Sequence, residues 1–160
     1  MKKISFIYAL LASILIQAPL FYLFISLESL VLGQGFIGAP HDIMLYLLSA
    51  LMVATFIILA IGLPIYFLLK LYGLNTSLNV ALVCFLIPVI ILSIITFSSS
   101  LHEGYSAGEN YYGTYRSTVI DGNRTFWGWV KFFEGMLTYG IHGFLGAIIF
   151  HKIYIKEKNA

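Results

Sequence analysis

The residue types most able to do chemistry in this chain interrupt one long apolar run near its end. They are Lys131, Glu134, Thr138 and His142. At about 100° per residue on an α-helix, these four side chains fall within an arc of roughly 80°. Charged groups at membrane depth are costly and normally face protein or water. This polar stripe is therefore predicted to point toward other helices or another subunit.

Two interpretations of the polar stripe stay open. Lys131 and Glu134 are three residues apart, so they can form an ion pair near the membrane interface, while Thr138 and His142 bond to other helices. Alternatively, the stripe lines a hydrophilic path in which Glu134 and His142 respond to protons or cations. We favour the structural ion pair.

Glycines and histidines near the stripe lead to two further predictions. Gly135 and Gly146 lie beside it, and because small residues let helices approach closely, both are predicted helix-packing positions. Haem ligation by His142 would need a second histidine at matching depth, whereas His41 and His102 are predicted at the outer boundary. The chain also lacks HExxH, CxxC, GxSxG and P-loop motifs. We therefore expect no enzymatic activity, no cofactor and no metal site.

A second candidate site is the loop that precedes the stripe, which is rich in tyrosine and glycine. Tyrosine offers a large contact area at low entropic cost, so this loop suits recognition of a protein partner. The predicted partner-binding residues are Tyr105, Tyr111, Tyr112, Tyr115 and Arg116. Farther along, a β-branched run meets Asp121-Gly122, which is a signal for a β-hairpin. A loop that only seals the helices is the alternative.

Long apolar stretches must position both sets of residues. Apolar residues make up 60% of the chain and charged residues 10%, with a mean hydropathy of +0.93. A soluble domain needs about 25% charged residues, so we expect an all-α membrane protein that forms one domain over residues 1–160. Helices of about 20 residues suffice to cross the bilayer. The predicted spans are residues 4–27, 43–69, 78–97 and 126–154, with outward segments 28–42 and 98–125.

The distribution of basic residues predicts the orientation of this four-helix bundle. Six lysines flank one side of the predicted spans, namely Lys2, Lys3, Lys70, Lys152, Lys156 and Lys158. The other side has Arg116 and Arg124, with Lys131 just inside the fourth span. Lysine and arginine accumulate on the cytoplasmic side of membrane proteins. Both termini are therefore expected in the cytoplasm, and the small ordered loop with its hairpin is expected outside.

Composition and topology together favour one class of function. A net charge of +2 is too small to suggest a nucleic-acid partner. We expect a non-enzymatic interaction protein of a bacterial inner membrane, which recognises a protein partner or a membrane disturbance at its outer face. Toxin-immunity and phage-defence or phage-exclusion components have this size and topology. The alternative is a subunit of a small oligomeric ion or solute channel or transporter, in which homo-oligomers would line a shared path with their stripes.

Overall fold

The computed structural model describes residues 2–31, 40–98, 102–111 and 113–159. Within these residues the helices are α1 (Lys2–Leu15), α2 (Gln17–Val31), α3 (Pro40–Ile57), α4 (Leu63–Leu71), α5 (Ser77–Ser98) and α6 (Phe126–Asn159). A π-helical turn, Ile58–Gly62, joins α3 to α4. The strands are β1 (Ala107–Tyr111), β2 (Thr114–Ile120) and β3 (Asn123–Arg124).

In the described part of the chain, four segments are long and apolar enough to cross a membrane, as predicted. They are Phe6–Val31, Ile43–Leu71, Ser77–Ser98 and Phe126–Ile155. Helices are the expected solution in lipid because each backbone donor and acceptor finds its partner within the segment. The chain therefore has the secondary structure of a multi-pass membrane protein, with a small antiparallel sheet between the third and fourth spans.

Two of the three prolines within the spans interrupt their helices. Proline lacks a backbone N–H, and its ring clashes with the carbonyl group four residues earlier. Upstream of Pro19, α1 and α2 meet in a turn at Ile16, and upstream of Pro64 the helix widens into the π-helical turn. By contrast, α5 continues through Pro88 as one helix. The break at Ile16 lets the first span pack differently along its two halves.

Helix α6 packs against α1, α2, α5 and the sheet. Its close approach to α5 depends on two glycines, Gly140 and Gly143, which have no side chain. A Cβ atom on Gly140 would lie 2.6 Å from the ring of Phe85, and one on Gly143 would overlap the carbonyl oxygen of Cys84. Small residues at such positions let two helix backbones come together.

The buried apolar core lies toward the end of the bundle away from the sheet. It joins α1, α4, α5 and α6 through Ala9, Tyr66, Val80, Ala81, Ala147 and Phe150. Next to this core, the buried His151 donates a hydrogen bond to the backbone carbonyl of Asn75 in the connection between α4 and α5. The α3 part of the second span contributes little to the core, since α3 packs mainly on α2 and leaves Met52 and Phe56 exposed by 75% and 72%.

The sheet has the order β1-β2-β3, with both pairs antiparallel. The predicted hairpin at Asp121-Gly122 is confirmed, because both residues have positive φ values, 47° and 73°, as a type I′ turn requires. Pairing of β1 with β2 was not predicted. Strand β1 contains Gly108, Glu109 and Asn110, which are poor strand formers, so its pairing with β2 overrides its local preference.

The sheet lies directly on the start of α6. Thr125 makes this connection, since its hydroxyl group donates to the carbonyl of Ser117 and accepts from the backbone N–H of Gly128. A side chain on Gly128 would overlap the carbonyl oxygen of Thr118. We call residues 102–111 and 113–125 the cap, and the end of the bundle that carries it the sheet end.

Candidate functional site

Lys131 is the centre of an ionic cluster at the sheet end. Its Nζ atom donates a hydrogen bond of 2.9 Å to Oε1 of Glu28, at the end of α2. The same nitrogen lies 3.5 Å from Oε2 of Glu109 on β1 and 3.8 Å from Oε2 of Glu134 on α6. Three carboxylates from three elements therefore share one ammonium group. We call these four residues the Lys131 cluster.

Tyr111 packs against the Lys131 cluster on the side that faces the sheet. Its hydroxyl donates to Oε2 of Glu134 at 3.1 Å, and its ring centre lies 5.5 Å from the Nζ atom of Lys131. Only 7% of Tyr111 is exposed. A cation over an aromatic face is attracted to the ring quadrupole, so Tyr111 couples β1 to α6 both through its ring and through its hydroxyl.

Arg116 on β2 and Trp127 on α6 continue the contact between the sheet and α6. The Tyr111 and Trp127 ring centres are 5.1 Å apart, and the guanidinium carbon of Arg116 lies 4.9 Å from the centre of the Trp127 ring. The order is therefore Arg116, Trp127, Tyr111, Lys131, with two cations flanking two rings. This arrangement fixes the position of the cap on the bundle.

A separate polar cluster lies deeper in the fourth span. The Nδ1 atom of His142 donates to Oε1 of Gln17 at 2.7 Å, while Nε2 of Gln17 donates to the carbonyl of Ser13 at 3.1 Å. The same Gln17 nitrogen is 3.4 Å from the carbonyl oxygen of His142. Phe24 covers the imidazole at a centroid distance of 5.3 Å. We call Ser13, Gln17 and His142 the His142 cluster.

No family model, curated protein or solved structure matches this chain. The chemistry of the two clusters and of the cap is therefore the basis for proposing a function.

The structure divides the predicted polar stripe between these clusters. Lys131 and Glu134 are within 4 Å of each other, but the nearest carboxylate to Lys131 belongs to Glu28. Thr138 lies half-buried between the two clusters. In the described part of the chain, no hydrogen bond joins the Lys131 cluster to the His142 cluster. The stripe thus makes two separate sets of contacts, one in which Lys131 meets Glu28 and Glu109 and one in which His142 meets Gln17.

Sequence reasoning missed Gln17, Glu28 and Glu109, the partners of the stripe. Gln17 and Glu28 had a usable signal, because polar side chains within an apolar span normally face other protein groups. Glu109 had none, since its contact depends on the unpredicted pairing of β1 with β2.

The predicted partner-binding residues of the loop separate into exposed and inward-facing sets. Tyr105 and Tyr115 are 49% and 65% exposed. Tyr111 is instead buried against Trp127 and Glu134, with 7% of its surface exposed. Arg116 is half-buried on Trp127, and the predicted role of Tyr112 falls outside the described residues.

The two predicted helix-packing glycines also differ. A Cβ atom on Gly146 would lie 2.7 Å from Nε2 of Gln17, so this glycine makes room for the His142 cluster. At Gly135 none of the described residues lies within 4 Å of that position, so the helix contacts among them do not require this glycine.

The described residues show no group suited to holding a metal ion. No three His, Cys, Asp or Glu side chains come together there in a ligating arrangement. His102 is exposed in the cap, far along the chain from the Gln17-bonded His142, and the side chain of His41 is outside the described set. A shallow cleft between the first two spans is apolar, lined by Phe21, Tyr22, Ile25, Ile43, Tyr46 and Leu47. What the arrangement offers is a firmly attached cap with exposed aromatic side chains.

Proposed function

We propose that this chain is a non-enzymatic interaction protein of a bacterial inner membrane. Its cap would recognise a protein partner, or a disturbance of the membrane, at the outer face. The main support is the combination of a fixed cap and exposed tyrosines. The Lys131 cluster and the Arg116–Trp127 contact hold the cap from within, while Tyr105 and Tyr115 point away from these contacts. A preorganised surface loses less entropy when it binds.

The proposed orientation follows from the lysine distribution. Lys70 and Lys152 lie at the ends of their spans away from the cap, together with the lysines near both termini. The positive-inside rule then favours cytoplasmic termini and an outward cap. The narrower proposal is a toxin-immunity or phage-defence component, because such a protein must meet an incoming molecule at the outer surface of the inner membrane.

The channel alternative finds less support. Lys131 and His142 bond to other parts of the same chain, so these polar groups are not left to line a path shared between subunits. On α3, the apolar side chains of Met52 and Phe56 are 75% and 72% exposed, as expected for a lipid-facing surface.

Replacing the exposed tyrosines of the cap tests the proposal. Cells that express the Tyr105→Ala, Tyr115→Ala double variant should lose most protection against a panel of phages and membrane-active toxins, because tyrosines often dominate binding energy. Tyr72→Ala is the matched control, since Tyr72 is 73% exposed at the opposite end of the bundle. The amounts of the three proteins in the membrane must be equal. A recognition role for the cap would be contradicted if the double variant then protects as well as the control and the natural chain.

A further inference from the structure

Arg116 is a half-buried cation without an anionic partner among the described residues. Its Nε atom is buried and donates no hydrogen bond to those residues. Glu109 is its cross-strand neighbour on β1, and directly opposite residues share one face of a sheet. The Glu109 carboxylate nevertheless approaches Lys131, at 3.5 Å. No carboxylate of the described residues pairs with Arg116, and because its Nε atom is closed to solvent, an external anion would bind at the two terminal NH₂ groups of the guanidinium.

The carboxylates of the Lys131 cluster exceed the cations available to them. Glu28, Glu109 and Glu134 share the single ammonium group of Lys131, and their side chains remain 47%, 38% and 36% exposed. With Arg116 included, three carboxylates face two cations, which leaves one net negative charge. This side of the site therefore favours an additional cation.

Both halves of the site lie where lipid headgroups are expected. Phe97 and Phe126, which end and begin spans at the sheet end, are 70% and 73% exposed. Trp129 packs on Phe97, with ring centres 5.8 Å apart. Aromatic belts of this kind mark the interface between hydrocarbon and water. A ligand that carries an anion and a cation at this depth is a zwitterionic phospholipid.

We propose that Arg116 and Glu109 bind the phosphoethanolamine headgroup of a membrane phospholipid. The guanidinium of Arg116 takes the phosphate through paired N–H groups, the geometry that arginine offers to phosphates. The primary ammonium group donates to the carboxylate of Glu109. The two-carbon bridge of ethanolamine suits cross-strand side chains, whose Cβ atoms lie about 5 Å apart.

The charge of the site selects this headgroup over two common relatives. Phosphatidylglycerol brings a net negative charge to a site that is already net negative. Phosphatidylcholine has the right charges, but its quaternary ammonium has no N–H group to donate to Glu109. Phosphatidylethanolamine satisfies both Arg116 and Glu109.

Native mass spectrometry of the full chain in detergent tests this proposal. The three lipids that are compared carry identical acyl chains. The natural chain should bind phosphatidylethanolamine at least about fivefold more tightly than either relative. Arg116→Gln should weaken that binding about tenfold, since a charge-assisted hydrogen bond contributes about 1.5–3 kcal/mol. Glu109→Gln should remove the preference over phosphatidylcholine. Arg124→Gln, the other arginine of the cap, is the matched control and should bind as the natural chain does.

Several outcomes would overturn the proposal. Equal binding of the three lipids by the natural chain would do so without any variant, as would equal effects of Arg116→Gln and Arg124→Gln. Soluble phosphorylethanolamine that binds as tightly as the lipid, and depends on Arg116, would assign the site to a free metabolite instead. If Arg116→Gln lowers the thermal midpoint, Arg116→Lys replaces it, because lysine keeps the charge without the paired N–H groups. Unchanged lipid binding by Arg116→Lys would then exclude paired recognition of the phosphate.

Discussion

Lys131 holds three carboxylates that come from α2, β1 and α6. Its role is therefore larger than that of one member of a pair with Glu134, which spacing alone predicts. Removing the shared cation leaves three carboxylates close together, whereas removing one carboxylate leaves Lys131 with two others. Replacing Lys131 is therefore expected to lower stability more than replacing any one of its carboxylate partners.

Lys131→Met should lower the free energy of unfolding by about 2 kcal/mol, and Glu134→Gln by less than about 1 kcal/mol. The glutamine can still accept the hydroxyl of Tyr111, which contacts Glu134 at 3.1 Å. Denaturation in mixed micelles measures both values. The double variant should recover only part of the stability lost in Lys131→Met, because Glu28 and Glu109 still lie close together. Complete recovery in the double variant would reduce the cluster to a simple Lys131–Glu134 pair.

The His142 cluster predicts a second effect at the residue scale. Gln17→Leu removes the acceptor of His142 Nδ1 and the amide that bonds Ser13. Interhelical hydrogen bonds in membranes contribute about 0.6 kcal/mol on average and about 1.7 at most, so a loss of about 1–2 kcal/mol is expected in the same assay. Ser49→Ala is the control, because the exposed Ser49 bonds only within its own helix, to Tyr46. An equal change in both variants would mean that Gln17 does not join the helices.

Helix α6 serves as the element on which the other parts of the chain assemble. Its glycines are not equivalent, because they face different neighbours. Gly143 lies against the backbone of α5 at Cys84, Gly128 lies against β2 at Thr118, and Gly135 faces open space. A glycine pattern on one helix therefore does not define one packing face.

Gly143→Ala should destabilise the chain by about 1–3 kcal/mol, the usual cost of overpacking, because its Cβ atom would meet a backbone carbonyl that cannot move aside. Gly135→Ala is the matched control on the same helix and should change stability by no more than about 1 kcal/mol, in the stabilising direction. Thermal unfolding in detergent compares them. The reverse order would place the close helix contact of α6 at Gly135.

At the scale of the whole molecule, the cap and the 72–76 connection lie at opposite ends of the spans. The cap joins the third span to the fourth, and the connection joins the second to the third. Lysines near the spans lie mainly at the end opposite the cap. An asymmetric molecule of this kind presents one surface to each side of a membrane.

A cysteine at position 110 should react with an impermeant maleimide from outside intact cells, because Asn110 is exposed in the cap. Cys84→Ser provides the background, since Cys84 is the single cysteine of the chain. A cysteine at position 72, where Tyr72 is 73% exposed, should react only after lysis. Labelling in the opposite order would invert the proposed orientation.

Local sequence was enough to predict the features that depend on neighbouring residues. The four spans follow from hydropathy, because backbone groups in lipid must bond within their own segment. The turn at Asp121-Gly122 follows from two residues that tolerate positive φ. Both features depend on neighbouring residues of one segment, so a single sequence is enough to predict them.

The tertiary structure alone decided which polar groups meet. Lys131 and Glu28 are 103 positions apart, and His142 and Gln17 are 125 apart. Likewise, only the packing of β1 on α6 separates the buried Tyr111 from the exposed Tyr115. Such contacts depend on how each helix is rotated and on how strands pair. Those choices are set by the packing of the whole bundle, because an apolar span has nearly the same hydropathy on every face.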